Sequence, residues 1–305
     1  DRYDLSKGFP QSFIDNEYGP RKTILSALNS VGTTVEVDVN FEKLSQTSIR
    51  LMNCKNVTIM DSVFKGLQSG IGSAIAASYT DLNPSEIDQY VLLVEGSKFY
   101  DCHADVNAGA MSISNSPRTV IKDSHFFNNQ ATAGSGGAIF SQCPNTDCVF
   151  EISNSKFLGN YGKIAGGALR WKDKEPNIDF DTIVIEGNQS FFGNNIAGIP
   201  ARVLPTEKDQ DYANDVNEKV VKEDRLEQPR TLTQETENEI VLEQVQSGAT
   251  IEDDFLFALV DQYGQVIKVD SASSATLLPE DSDSVTIVNG FKTAQKGVYN
   301  FKGAQ

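Results

Sequence analysis

Short runs of alternating apolar and polar residues recur through much of the chain. Examples are VTIMDSVF from Val57, VIKDSHFF from Val120 and FEISNSKF from Phe150. The apolar residues of each run stand two positions apart, which is the period of a β-strand with one buried face, and helical spacing fits none of them. The runs share a phenylalanine, which is predicted to point inward and occurs at Phe64, Phe99, Phe126, Phe157 and Phe191.

Polar and small residues keep nearly constant offsets from these phenylalanines. Asparagine follows three residues later at Asn129, Asn160 and Asn194. Serine stands two residues earlier at Ser62, Ser97, Ser124 and Ser155. A small-residue cluster comes next, with glycine pairs at Gly136, Gly137, Gly166 and Gly167. A phosphate-binding loop would need Gly-Lys-Ser/Thr and a following helix, so these glycines are interpreted as corners of stacked coils.

These columns predict a parallel β-helix over residues 1–204, in which neighbouring coils lie about 4.8 Å apart. The segment TTVEVDVNFEKL from Thr33 alternates like a strand but lacks the motif, which favours an N-terminal cap over an atypical first coil. Residues 205–234 are polar and charge-rich, which predicts an acidic linker or a loop along the flank. Residues 235–305 contain short apolar runs between turn clusters, and this pattern is typical of a small β-sandwich. The predicted fold class is all-β.

The pairing of Phe-x-x-Asn with Gly-Gly-Ala-Ile/Leu resembles the repeats of the polymorphic outer-membrane proteins of chlamydiae, and of very large surface proteins of ciliates. Both motifs are intact in the copies that begin at Phe126 and Phe157. The resemblance implies a right-handed parallel β-helix displayed outside the cell for adhesion or coat structure, with no catalytic residues. LVDQYGQVIKV, from Leu259, resembles the Asp-x-x-Gly-x-x-Val segment of bacterial-type immunoglobulin-like domains, which implies that form for the C-terminal sandwich.

Charge narrows the choice of partners. The chain has 42 acidic and 26 basic side chains and a formal net charge of -16. Nucleic acid and an anionic membrane surface would be repelled at long range, so neither is expected to bind. Apolar runs are too short for direct membrane insertion, and the first residues lack a signal-peptide pattern. The expected partners are other protein subunits, identical or different, together with glycans or a cell surface.

Cysteine and sequon positions fit an oxidising compartment. Cys143 and Cys148 enclose a short loop between coils and are predicted to form a disulfide. Cys54 and Cys102 lie in different columns, and the sequence leaves open whether they pair or stay free. Glycosylation sequons begin at the candidate sites Asn56 and Asn188.

A polysaccharide-cleaving β-helix is the enzymatic alternative, since such enzymes align carboxylates along the stack. Asp61 and Asp123 share a column two coils apart, which corresponds to about 10 Å. Inverting glycosidases place their carboxyl groups roughly 6.5–9.5 Å apart. The same column also holds glycine and asparagine, so it is interpreted as a turn ladder, and no catalytic residue is assigned.

Few other residues are candidates for catalysis, metal binding or ligand contact. His125 falls in an outward column between Lys98 and Lys156, which predicts a solvated face, and no cluster has zinc-site spacing. The acidic residues 278–284 are interpreted as a solvated loop rather than a calcium site. No metal or cofactor is therefore predicted. Trp171 is the one aromatic candidate for a ligand contact, with a core position as its alternative.

The function expected from the sequence is an extracellular or cell-surface structural or adhesive protein without enzymatic activity. A subunit of a filament or coat, assembled through the ends of the β-helix and an edge of the sandwich, is one form of this hypothesis. The alternatives are a pectinase-like enzyme and a non-catalytic module that binds a carbohydrate or a receptor. Such a module would cluster outward aromatic side chains on one flank.

Overall fold

The computed structural model describes residues 25–28, 34–36, 40–42, 47–144, 147–206, 248–279 and 286–305. It divides into two compact units, Asp1–Gly198 and Ile199–Gln305. The start of the predicted cap, most of the predicted linker and the apolar run EIVLEQV lie outside the described residues.

The first unit is a parallel β-solenoid of about five turns, which confirms the predicted β-helix. Each full turn adds one strand to each of four parallel sheets, named A to D in the order in which a coil passes through them from Thr34 onward. Sheet A contains Thr34–Glu36, Val57–Met60, Val91–Glu95, Arg118–Lys122, Val149–Ser153 and Asn177–Ile178. Sheet B contains Asn40–Glu42, Val63–Lys65, Lys98–Tyr100, His125–Phe127, Lys156–Leu158 and Val184–Glu186.

Sheets C and D complete each turn. Sheet C contains Gln68–Ser69, His103–Ala104, Gln130–Ala131, Tyr161–Ala165 and Gln189–Phe192. Sheet D contains Leu25–Leu28, Ile49–Met52, Ile75–Ser78, Met111–Ser114, Ile139–Gln142, Leu169–Lys172 and Ile196–Ala197. One short 3-10 helix, Pro84–Gln89, lies in the connection that precedes the third strand of sheet A.

The strands Thr34–Glu36 and Asn40–Glu42 continue sheets A and B in parallel register. Phe41 is in backbone register with Phe64. The described strands of the segment interpreted from the sequence as part of a cap therefore pair in the same way as the strands of later coils.

Left-handed backbone at the corner before sheet B bends each coil. Asp61, Asp123 and Asn154 have φ values of 47°, 52° and 46°, and Gly96 in the same column has 61°. Aspartate and asparagine tolerate this region better than other side chains that carry a Cβ. The interpretation of this column as a turn ladder is confirmed.

The second unit is a small antiparallel β structure. Its three-stranded sheet contains Pro200–Thr206, Leu256–Asp261 and Val298–Asn300, and a two-stranded sheet contains Ser274–Thr276 and Phe291–Thr293. The boundary expected after residue 204 falls inside the strand Pro200–Thr206, which pairs with Leu256–Asp261 and so belongs to the second unit. The immunoglobulin-like form of this unit stays a prediction.

The Asp-x-x-Gly turn of this unit is held by the fully buried Asp261. Its Oδ1 accepts the backbone N–H groups of Tyr263 and Gln265, each at 3.0 Å. Its Oδ2 accepts the Nε2 of Gln265, also at 3.0 Å. Gly264 adopts a φ of 76°, which explains the glycine at this position of the turn. The spacing therefore encodes a local bend.

Candidate functional site

The anchor phenylalanines form a continuous stack inside the β-helix. Successive rings of Phe64, Phe99, Phe126 and Phe157 lie 4.8, 4.6 and 4.8 Å apart between centroids, with interplanar angles of at most 2°. All four side chains are buried. Each contact contributes about 0.5–1.5 kcal/mol beyond area burial, so the stack holds consecutive coils in one register.

Phe191 does not join this stack, and the prediction for it was wrong. Its side chain is 53% exposed, whereas Ile185 is buried and in register with Phe157. The anchor position of this coil is therefore Ile185, which precedes Phe191 by six residues. Phe191 instead lies at an outward position of sheet C.

An asparagine ladder runs beside the phenylalanine stack. The backbone N–H and the Nδ2 of Asn129 both donate to Oδ1 of Asn160 at 2.9 Å, and Asn160 donates to Asn188 in the same way at 2.8 Å. All three side chains are almost fully buried. Each Nδ2 also donates at 3.0–3.1 Å to a carbonyl in the preceding coil, namely those of Phe99, Phe126 and Phe157.

Asn194 does not belong to this ladder, although the sequence placed it there. It follows Gly193 in the corner cluster and corresponds to Gly137 and Gly167 of the preceding coils. The ladder position is occupied by Asn188, which follows Ile185 by three residues. The spacing is therefore present in the sequence as Ile-x-x-Asn, with isoleucine in place of phenylalanine at the anchor position.

A serine ladder occupies the corner between sheets A and B. The backbone N–H of Ser62 donates to the hydroxyl of Ser97, and the same 3.2 Å contact recurs from Ser97 to Ser124 and from Ser124 to Ser155. Each hydroxyl also donates to the carbonyl two residues earlier in its own coil. These serines are fully buried, so their recurrence serves the stacking of coils.

The paired glycines have two different roles. Gly136 and Gly166 have φ values of 71° and 67°, which L side chains rarely adopt. Gly137 and Gly167 have no such φ, but a Cβ on either would lie 2.0 Å from a carbonyl oxygen of the next coil. The first glycine of each pair therefore permits the corner, and the second permits close approach of two backbones.

The four cysteines form one disulfide and two buried thiols. Cys143 and Cys148 form the predicted disulfide, with Cα atoms 6.2 Å apart. Cys54 and Cys102 are fully buried thiols. Cys102 stands at the ladder position of its coil, where its backbone N–H donates to Oδ1 of Asn129 at 3.1 Å. Burial raises the pKa of Cys102 to about 12.

The two glycosylation candidates have different surroundings. Asn56 is exposed and has a left-handed backbone in the bend before sheet A. Asn188 is buried, and its Nδ2 donates to the carbonyl of Phe157 and to Oδ1 of Asn195. A glycan on that nitrogen would break the ladder, so the structure argues against Asn188 as an acceptor in the folded protein.

The residues weighed for enzymatic or metal chemistry are placed as follows. Asp61 and Asp123 are exposed turn residues at the corner before sheet B. Within the described ranges, no three His, Cys, Asp or Glu side chains come together as a potential metal site. Trp171 is only 3% exposed, which favours the core position over a ligand contact.

The outward positions of sheet B bring cations and aromatic rings together, and this surface is called the sheet B face. Its first column contains Val63, Lys98, His125, Lys156 and Val184. Its second column contains Lys65, Tyr100, Phe127, Leu158 and Glu186. The rings of Tyr100 and Phe127 meet edge to face with centroids 6.3 Å apart, and Phe127 is 47% exposed. The sequence pattern indicated the first column but not the aromatic one.

No family model, curated protein or solved structure matches this chain. In the part of the chain that the structure describes, no helix is long and apolar enough to cross a membrane. The site is therefore interpreted from its own geometry.

Proposed function

We propose that the chain is a non-enzymatic structural or adhesive protein that acts outside the cell or on its surface. In this proposal its β-helix is right-handed and belongs with the repeats of polymorphic outer-membrane proteins, and its second unit is immunoglobulin-like. The observation that carries the proposal is the use of the recurrent motif. Its phenylalanine, serine and asparagine side chains are buried and contact the equivalent residues of neighbouring coils.

Because the motif residues serve only to stack the coils, the outward-facing residues can differ from one coil to the next. The sheet B face illustrates this, since one column runs from valine through lysine and histidine back to valine. Repeat proteins of this kind use a stiff scaffold to present an extended contact surface. The Cys143–Cys148 disulfide supports an oxidising compartment, where disulfides persist.

Surface display is tested by labelling intact source cells with a membrane-impermeant, amine-reactive reagent. We expect this protein to be labelled at exposed lysines such as Lys98 and Lys156. An abundant cytosolic protein that stays unlabelled is the control for intact cells. Labelling that occurs only after permeabilisation would overturn the extracellular assignment.

Assembly is tested separately by negative-stain electron microscopy of the protein isolated from its source. Regular filaments or a lattice would support a structural subunit, because open strand edges at the ends of a β-helix can pair with another chain. Monomers that persist at high concentration would contradict assembly and leave adhesion as the form of the proposal.

A further inference from the structure

The sheet B face carries basic side chains that are not paired with any carboxylate that the structure describes. Lys98 and Lys156 lie on either side of His125 in one column, so consecutive basic side chains are separated by about one strand spacing of 4.8 Å. Among the described residues, neither lysine forms a salt bridge. Three neighbouring basic groups without carboxylate partners are unusual in a chain with a net charge of -16.

The two lysines affect the protonation of His125. Burial lowers the pKa of His125, and repulsion by Lys156 and Lys98 lowers it further. In the neighbouring column Lys65 is in backbone register with Glu42 on one side and Tyr100 on the other, and Glu186 is the last residue at the opposite end.

The carboxylates at the two borders of the face lie at corners of the coils. Asp123 is in the bend before His125, and Asp101 is in the bend after Tyr100. The Oδ1 of Asp101 accepts a hydrogen bond from the Nδ2 of Asn128 at 2.6 Å. This carboxylate therefore interacts with the equivalent corner residue of the next coil.

Aromatic surface lies directly beside the cations. Tyr100 and Phe127 follow Lys98 and His125 by two residues, so all four side chains point outward from adjacent strands. Tyr161, 38% exposed, lies at an outward position of sheet C in the following turn of the solenoid. Exposed aromatic rings of this kind are costly in water and commonly mark a contact surface.

We propose that the sheet B face binds an extended acidic polysaccharide, with carboxylate or sulfate groups on the Lys98–His125–Lys156 column and sugar rings against Tyr100 and Phe127. The net charge of -16 repels any polyanion at long range, but this repulsion is largely screened beyond about 8 Å at physiological ionic strength. At contact distance, the local charge complementarity of this column and its translational repeat favour this occupant. A linear polymer presents its charges at regular steps, as does a column of parallel strands, whereas a folded protein partner has no such repeat. The inference rests on the proposed extracellular function, because that is where such polymers occur.

The test measures binding of the full chain to polygalacturonate and to chondroitin sulfate by isothermal titration calorimetry, with neutral dextran as the matched polymer. The double variant Lys98→Gln/Lys156→Gln should weaken binding of the acidic polymers by about tenfold or more, equivalent to about 1.4 kcal/mol. Phe127→Ser should also weaken binding. The control Arg50→Gln/Lys172→Gln removes the same charge from outward positions of sheet D and should stay within about twofold of wild type.

The pH profile separates this site from general attraction to cations. Because the pKa of His125 is lowered, the imidazole is neutral at pH 7 and gains charge only as the pH falls below its ordinary value of 6.5. Binding of the wild type should strengthen over that range, and binding of His125→Gln should respond less. Polygalacturonate carries only carboxylates, whereas chondroitin sulfate carries carboxylates and sulfates, so binding that persists at low pH with chondroitin sulfate alone would identify sulfate as the bound anion.

Three results would overturn the inference: equal binding of dextran, unchanged binding by the double lysine variant, or equal affinity for duplex DNA. Its failure is distinguishable from failure of the proposed function. Labelling on intact cells without binding to acidic polysaccharide would overturn this inference alone. Binding by a protein that is labelled only after permeabilisation would overturn the extracellular function and remove the physiological basis of the inference.

Discussion

Truncation of Asn160 is expected to destabilise the β-helix more than most single substitutions. Its Oδ1 accepts two hydrogen bonds from Asn129, and its Nδ2 donates to the carbonyl of Phe126 and to Oδ1 of Asn188. In Asn160→Ala these buried groups lose a partner. With at least two buried polar groups left unsatisfied at about 1–3 kcal/mol each, the free energy of unfolding should fall by about 2–6 kcal/mol.

Equilibrium urea unfolding followed by tryptophan fluorescence measures this loss. Trp171 is the single tryptophan of the chain and is buried in sheet D of the same unit, so its emission reports the β-helix rather than the second unit. The control Asn154→Gly removes an exposed side chain in the same coil, at a φ of 46° that glycine adopts freely, and should change stability by less than about 1 kcal/mol.

Asn160→Leu distinguishes hydrogen bonding from packing. Leucine fills similar volume, and Leu67 already occupies this column where the ladder is absent. We nevertheless expect a loss close to that of Asn160→Ala, because the polar groups of the neighbouring coils would face an apolar side chain. Wild-type stability in Asn160→Leu, or a loss below about 1 kcal/mol in Asn160→Ala, would refute the argument that the ladder is needed for stacking.

Three further predictions concern backbone contact, thiol accessibility and pH. Gly167→Ala should lower the free energy of unfolding by more than about 2 kcal/mol, because the added Cβ would lie 2.0 Å from a carbonyl oxygen. The control Gly70→Ala, whose added Cβ has nothing within 4 Å, should cause no such loss. Equal Tm values for the two variants would contradict this prediction. Without reductant, Ellman's reagent should detect no thiol in the native protein and two in the denatured protein, those of Cys54 and Cys102. Rapid reaction of either thiol in the native protein would be inconsistent with its burial. Since the pKa of His125 is lowered on folding, its neutral form contributes stability that is present above pH 6.5 and lost as the pH falls through the folded pKa. The Tm of His125→Gln should therefore fall less on acidification than the Tm of the wild type. Identical dependence of Tm on pH in the two proteins would argue against this coupling.

Much of the β-helix was predictable because each coil buries its own apolar face against the coils beside it. Phe99, Phe126 and Phe157 therefore recur with a serine two residues before them, and the glycine pairs mark corners whatever the length of the connection. The turn column was predictable for the same reason, since aspartate, asparagine and glycine share a tolerance of left-handed backbone.

The errors arose where one coil had to be aligned with the next. Phe191 repeated the residue type but not the position, and only the parallel pairing identifies Ile185 as the equivalent of Phe157. The same shift places Asn188 in the buried ladder, where its burial argues against glycosylation.

The sequence by itself determined the strand period, the corners, the short disulfide loop and the outward cation column, because all of these depend on residues close together in the chain. Tertiary structure decided which side chains of different coils share a column, and thereby placed Tyr100 and Phe127 beside the cations and Trp171 in the core. The physical reason is that the connections between coils vary in length, so the register between neighbouring strands is set by packing and inter-coil hydrogen bonds across the stack.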